Sequence, residues 1–136
     1  IKTGWIVWIN GPFPAGAWPD LNIARQSLIH FLDDGEFYCA DGGYADGNQW
    51  SNTPNGLNDY EQRTKALARA RHETVNRRFK IFGCLSQRYR HSLVFHGTIF
   101  RAVAAIVQLT IQFGHPLFDI EYNEADFVPN MLYERK

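Results

Sequence analysis

The feature that most constrains the fold is a continuous apolar run near the start of the chain, Gly4-Trp5-Ile6-Val7-Trp8-Ile9-Asn10. Its β-branched and aromatic residues favour a β-strand, and the Asn-Gly pair at its end favours a turn. Because apolar side chains occur on both faces of such a strand, we expect it to lie in the interior of a sheet. The run therefore predicts at least one buried strand.

A helix and a second strand are predicted next. Apolar residues recur at helical spacing from Leu21 to Leu32, and Asp20 is the predicted N-cap of this helix. The run from Glu36 to Ala40 predicts a short strand, which Asp41 follows directly. A helix that leads into a strand is typical of an α/β fold, in which functional residues gather at the carboxyl ends of strands.

Two longer helices are predicted in the second half of the chain. The first begins at Asn58 or Asp59 and continues to about Phe82, and the second begins near Ser92 or Thr98 and ends at Phe113. A short third strand is predicted around residues 49–53, and residues 117–136 receive no assignment. At 136 residues the chain is long enough for one domain with a core of its own.

The net charge of zero hides a strong asymmetry. Residues 60–91 contain nine basic side chains and two acidic ones, whereas residues 1–59 contain seven acidic and two basic side chains. Residues 92–136 contain five acidic and three basic side chains. A polyanion such as DNA could therefore bind to the central segment.

Cysteine content and hydropathy indicate the compartment in which the protein is expected. Cys39 and Cys84 are too few for a disulfide scaffold or a cysteine-rich zinc site, so we expect reduced thiols and an intracellular protein. The sequence has no run of eighteen or more apolar residues, so we expect no membrane span.

Asp41 and Glu73 are the candidate functional carboxylates. Asp41 follows a predicted strand, and Glu73 is the only acid between Gln62 and His91. Carboxylates brought together repel one another and bind divalent cations. The residues alone also allow Asp41 to be a turn-forming acid before Gly42-Gly43, and Glu73 to pair with a neighbouring arginine within the helix.

Two blocks of the sequence resemble a known family. The blocks are Ala40-Asp41-Gly42-Gly43-Tyr44 and Ala68-Arg69-Ala70-Arg71-His72-Glu73-Thr74-Val75-Asn76-Arg77-Arg78-Phe79-Lys80. Together they resemble the second half of the catalytic domain of DDE-type transposases, or DDE superfamily endonucleases, of the Harbinger class. The loop from Asn10 to Asp20 and the segment from Arg90 to Val103 are similar to further parts of that family.

The resemblance implies a fold and a reaction. The expected fold is part of an RNase H-like core, a mixed sheet flanked by helices. The expected reaction is metal-dependent cleavage and strand transfer of DNA, with Asp41 and Glu73 as catalytic metal ligands for two Mg²⁺ or Mn²⁺ ions. We expect residues 1–136 to be the C-terminal portion of one such domain, without its first strands and first catalytic acid, and therefore inactive alone.

The resemblance also implies partners and leaves alternatives open. Four basic residues are the expected DNA contacts: Arg69, Arg77, Arg78 and Lys80. We also expect a nuclear location. The further expected partners are a separate DNA-binding protein and a second copy of the chain. One alternative is a domesticated, catalytically inactive DNA- or protein-binding module. Another is an unrelated α/β domain whose basic helix is only a solvated surface.

Overall fold

A computed structural model describes residues 3–13, 19–34, 36, 38–40, 51–52 and 59–121 of the chain. Four α-helices occur in these ranges: α1 (Asp20–Gln26), α2 (Asp59–Lys80), α3 (Gly83–Ser86) and α4 (Leu93–Phe113). A 3₁₀ helix, Leu28–Phe31, follows α1, and two strands, β1 (Tyr38–Cys39) and β2 (Ser51–Asn52), precede α2.

The predicted α/β fold with an RNase H-like mixed sheet is wrong. The described residues are mostly helical, and strand pairing among them is limited to two residues on each side, with Tyr38 opposite Ser51 and Cys39 opposite Asn52 in parallel. A pair of this length cannot form the central layer of an α/β domain, because its faces are too small to pack helices on both sides.

The run from Gly4 to Asn10 explains part of this error. The segment has no regular secondary structure, so the predicted buried strand is wrong. Gln108 of α4 accepts a hydrogen bond from the Ile6 amide through Oε1 over 2.7 Å. Trp5, Val7 and Ile9 are exposed, whereas Ile6 and Trp8 are half-buried. An apolar composition favours extended backbone, but it does not specify a pairing partner.

The first helix starts one residue earlier than an N-cap at Asp20 would place it. Asp20 is the first helical residue, and Pro19 occupies the N-cap position, where its carbonyl oxygen accepts hydrogen bonds from the amides of Asn22 and Ile23 at 2.9 and 3.3 Å. The predicted N-cap role of Asp20 is therefore wrong. Ser27 ends α1 because its hydroxyl donates to the Ile23 carbonyl oxygen over 2.9 Å.

The core lies between α2, α4 and the segment that follows α4. Val103, Val107 and Ile111 recur along one face of α4 and pack with Leu117. Partly buried side chains surround this cluster, among them Ile6, Val75, Phe79, Phe82 and Ile99. The rings of Phe79 and Phe100 join the two helices, with centroids 5.6 Å apart. The predicted bounds of α2 and α4 agree with the structure to within a few residues.

The rest of the α4 surface is unusually apolar. Val94, Phe95, Ile106, Leu109 and Phe113 are all exposed. By length and composition, Val94–Phe113 is the one described helix that could cross a membrane. The core helix of a soluble protein has the same properties, and α4 contributes three residues to the core.

Candidate nucleic-acid interface

Helix α2 presents three charged side chains at four-residue steps. Arg69, Glu73 and Arg77 lie one turn apart on the same face, and Lys80 lies beside them at the carboxyl end of the helix. All four are exposed, and none forms a hydrogen bond or an ion pair with the part of the chain that the structure describes. We refer to these four residues as the α2 row.

Glu73 is the one acid in the row. The intrahelical pair with Arg69 or Arg77 that the spacing allows is not formed within the described residues. The Glu73 carboxylate is therefore directed to solvent between two guanidinium groups, neither of which it neutralises by contact. This arrangement leaves both the carboxylate and its neighbours available to a ligand.

Arg78, the remaining predicted DNA contact, has a different environment. It is half-buried, and its Nη1 donates a hydrogen bond of 2.6 Å to the carbonyl oxygen of His115, just beyond α4. This bond satisfies a carbonyl near the end of α4, where backbone acceptors lack helical partners. Arg78 therefore has a structural role, whatever its remaining donors bind.

Arg71 belongs to the basic run but points to the interior. It is only 5% exposed, and its Nη2 donates a hydrogen bond to the carbonyl oxygen of Phe118. Its separation from Val75 and Phe79, four and eight residues, is the signal in the sequence that places it on the buried side of α2. This spacing distinguishes Arg71 from Arg69 and Arg77. A count of charges along the helix does not distinguish them.

Lys65 is a second buried base that the charge pattern does not reveal. It is 5% exposed, and loss of hydration lowers its pKa, while the charges of Cys39 and Glu61 oppose that shift. Burial of the sulfur raises the pKa of Cys39, against the attraction of Lys65, although the Cys39 residue as a whole is exposed. Lys65 of α2 therefore lies near Cys39, which is at the carboxyl end of β1 and two residues before Asp41 in the sequence.

Asp41 itself lies outside the described residues, so the predicted approach of Asp41 to Glu73 stays a prediction. Ala40, the residue before Asp41, is buried. Within the described ranges no group of three or more histidine, cysteine, aspartate or glutamate side chains could hold a metal ion. Glu73 alone does not make a Mg²⁺ site, because Mg²⁺ in proteins is held by one or two carboxylates together with substrate phosphates and water.

Comparisons with protein-family models, with curated proteins and with solved structures found no match to this chain.

Proposed function

We propose that this chain is part of a metal-dependent DNA endonuclease or transposase, and that the α2 row binds the phosphate backbone. The observation on which the proposal rests is the exposed row of Arg69, Glu73, Arg77 and Lys80, whose side chains pair with no residue in the described ranges. The proposal uses the basic helix and the two carboxylates of the family-like blocks. It does not include an RNase H-like sheet.

The row suits a phosphodiester backbone for two reasons. Its cations are exposed and have no partner among the described residues, so binding a phosphate there breaks no ion pair within the described part of the chain. Along the helix axis Arg77 and Lys80 are about 4.5 Å apart and Arg69 and Arg77 about 12 Å apart, which is the scale of one to a few phosphate steps of about 3.4 Å along a DNA strand. Such contacts position the duplex without reading its sequence.

Glu73 lies where a carboxylate would serve as a metal ligand next to bound phosphate. If Asp41 joins it, the pair would hold the Mg²⁺ or Mn²⁺ ions, which supply the activation of water or a 3′-hydroxyl in phosphoryl transfer. The residues of this chain would then bind the backbone and keep it beside the carboxylates.

Binding to a fluorescein-labelled duplex at several salt concentrations tests the role of the row. We expect Arg77→Gln to weaken binding to every duplex and to reduce the slope of log K against log salt by about 1. Arg101→Gln is the control of equal charge, because Arg101 is exposed on α4 and outside the row. An unchanged slope for Arg77→Gln would exclude the row as the phosphate-binding surface.

Cleavage by the full-length protein tests the catalytic part. We expect nicking of supercoiled plasmid with Mg²⁺ or Mn²⁺, and loss of nicking in Asp41→Ala and in Glu73→Gln, with Glu121→Gln as an active control. Without metal, Glu73→Gln should bind DNA more tightly than the parent, because it removes a negative charge between two arginines. Loss of nicking together with retained binding separates a metal ligand from a folding defect.

The second candidate function is DNA or protein binding without catalysis. It uses the same exposed basic residues of the α2 row and needs no metal ion. Salt-dependent binding through the row with no metal-dependent nicking by the full-length protein would support it.

A further inference from the structure

A large cleft lies directly beside the α2 row. Its volume is about 960 Å³, at the upper end of the range for ligand sites, roughly 300–1,000 Å³. One wall is the segment from Thr3 to Phe13, and the opposite wall is the inner side of α2, with residues of α4 at the end. The cleft is an open groove between an apolar segment and a basic helix.

The first wall is rich in aromatic side chains. Trp5, Trp8 and Phe13 line the cleft, and Trp5 is 52% exposed. Exposed aromatic side chains such as tryptophan are the groups on which unpaired bases stack in single-strand-binding proteins. Stacking accepts any base, because every base has a π-face.

The second wall supplies polar groups in a line. His72, Asn76 and Lys80 follow one another at four-residue steps on α2 and all line the cleft. The half-buried Asn76 forms no hydrogen bond with the described residues, so its amide can both donate and accept. No carboxylate occurs among the described residues that line the cleft. The wall therefore favours an anionic ligand with hydrogen-bonding edges.

Lys80 belongs both to this wall and to the α2 row. A strand whose phosphates follow Arg77 and Lys80 would have its next base within reach of the cleft. We infer that the cleft accepts an unpaired nucleotide of a bound DNA strand, with the base between the tryptophans and Asn76 and the phosphate at Lys80. The inference rests on the proposed function and adds that the bound strand presents an unpaired nucleotide to the cleft.

The test compares a labelled oligo(dT) 12-mer with a blunt duplex of the same length by fluorescence anisotropy. We expect the parent to prefer the single strand. Trp5→Leu should weaken oligo(dT) binding by at least about fivefold and leave duplex binding unchanged, since stacking on one aromatic contributes about 1–3 kcal/mol per base. Asn76→Ala should act in the same direction, and Phe113→Leu, an exposed apolar position of α4 outside the cleft, should have no effect.

Two other outcomes have separate meanings. Equal affinity for both DNAs, with no effect of Trp5→Leu or Asn76→Ala, would overturn the cleft assignment while Arg77→Gln could still support the row. Absence of DNA binding by the parent would overturn both the cleft assignment and the phosphate-binding role of the row. Circular dichroism of each variant separates a local effect from unfolding, and Asn76→Ala keeps the test decisive if Trp5→Leu does not fold.

Discussion

Arg71 holds α2 to the segment after α4 through Phe118: its Nη2 donates a hydrogen bond to the Phe118 carbonyl oxygen, and its guanidinium carbon lies 5.6 Å from the centroid of the Phe118 ring. The two residues are 47 positions apart in the sequence. Arg71 lies in the most basic part of the chain, yet it contributes to the tertiary structure. Arg69 and Arg77 on the same helix are exposed to solvent.

Replacement of Arg71 should affect stability, not DNA binding. We expect Arg71→Gln to lower the free energy of unfolding by about 1–3 kcal/mol, because it removes a charged hydrogen bond and the packing of the buried stem. Urea denaturation measures the loss. Arg69→Gln, two residues away and exposed, should change stability by less than about 0.5 kcal/mol, and equal midpoints for the two variants would contradict the buried role of Arg71.

Arg77 and Arg78 are adjacent and should behave differently. Arg78→Gln removes the 2.6 Å bond to the His115 carbonyl oxygen and should cost about 0.5–1.5 kcal/mol of stability. Arg77→Gln should leave the urea midpoint unchanged and reduce DNA affinity. Measurement of both properties on both variants checks the contrast, and an Arg77 variant that is the less stable of the two would refute it.

The core of α4 should be sensitive to the loss of a few methyl groups. Val107 is 2% exposed, and we expect Val107→Ala to cost about 1–3 kcal/mol through lost burial and a residual cavity. Val94→Ala is the same chemical change at a position of the same helix that is 83% exposed. Thermal or urea unfolding should show almost no effect for it, and similar losses at both positions would mean that the exposed side of α4 is covered in solution.

The thiol of Cys39 should react more slowly with alkylating agents than the thiol of an ordinary exposed cysteine. Burial of the sulfur raises its pKa, so less thiolate is present at pH 8 than for an ordinary cysteine, and alkylation should accelerate as the pH rises through that raised pKa. The positive charge of Lys65 lowers the pKa of Cys39, so Lys65→Met should raise this pKa further and slow alkylation at fixed pH. Mass spectrometry of iodoacetamide labelling measures the rate, with Cys84 as the internal reference. Faster labelling of Cys39 in Lys65→Met would contradict the interaction.

The sequence predicted the long helices better than the sheet. The spacing over α2 and α4 continues for about twenty residues and indicates both helices. It also indicates the buried side of α4, whereas in α2 the apolar Leu67 is exposed and the buried residues are Thr64, Lys65 and Arg71. The run from Gly4 to Asn10 has strand-forming composition, but a strand also needs a partner, and partner choice depends on contacts distant in sequence. Neither the absence of a strand nor the position of the segment against α4 was predictable from its composition.

The candidate site was predictable to a similar degree. The density of basic residues indicated that α2 carries the candidate DNA-binding surface. Density alone does not separate the exposed Arg77 from the buried Arg71, or from Arg78, which donates to a carbonyl oxygen. The positions of Val75 and Phe79 on the same helix do separate them. The role of Asn76 depends on the segment across the cleft, which is more than sixty residues earlier in the chain, and no local pattern could indicate it.

The Ile6 amide donates to Gln108, but the next three residues form no such bond within the described ranges, and amide exchange should differ accordingly along the segment. Because the backbone groups of Val7, Trp8 and Ile9 form no hydrogen bond with the described residues, their amides should exchange with deuterium at nearly the rate of an unstructured peptide. The amides in the middle of α4 should exchange only when the helix opens. Protection that appears at residues 7–9 on addition of oligo(dT) would report that this wall of the cleft becomes ordered against its ligand.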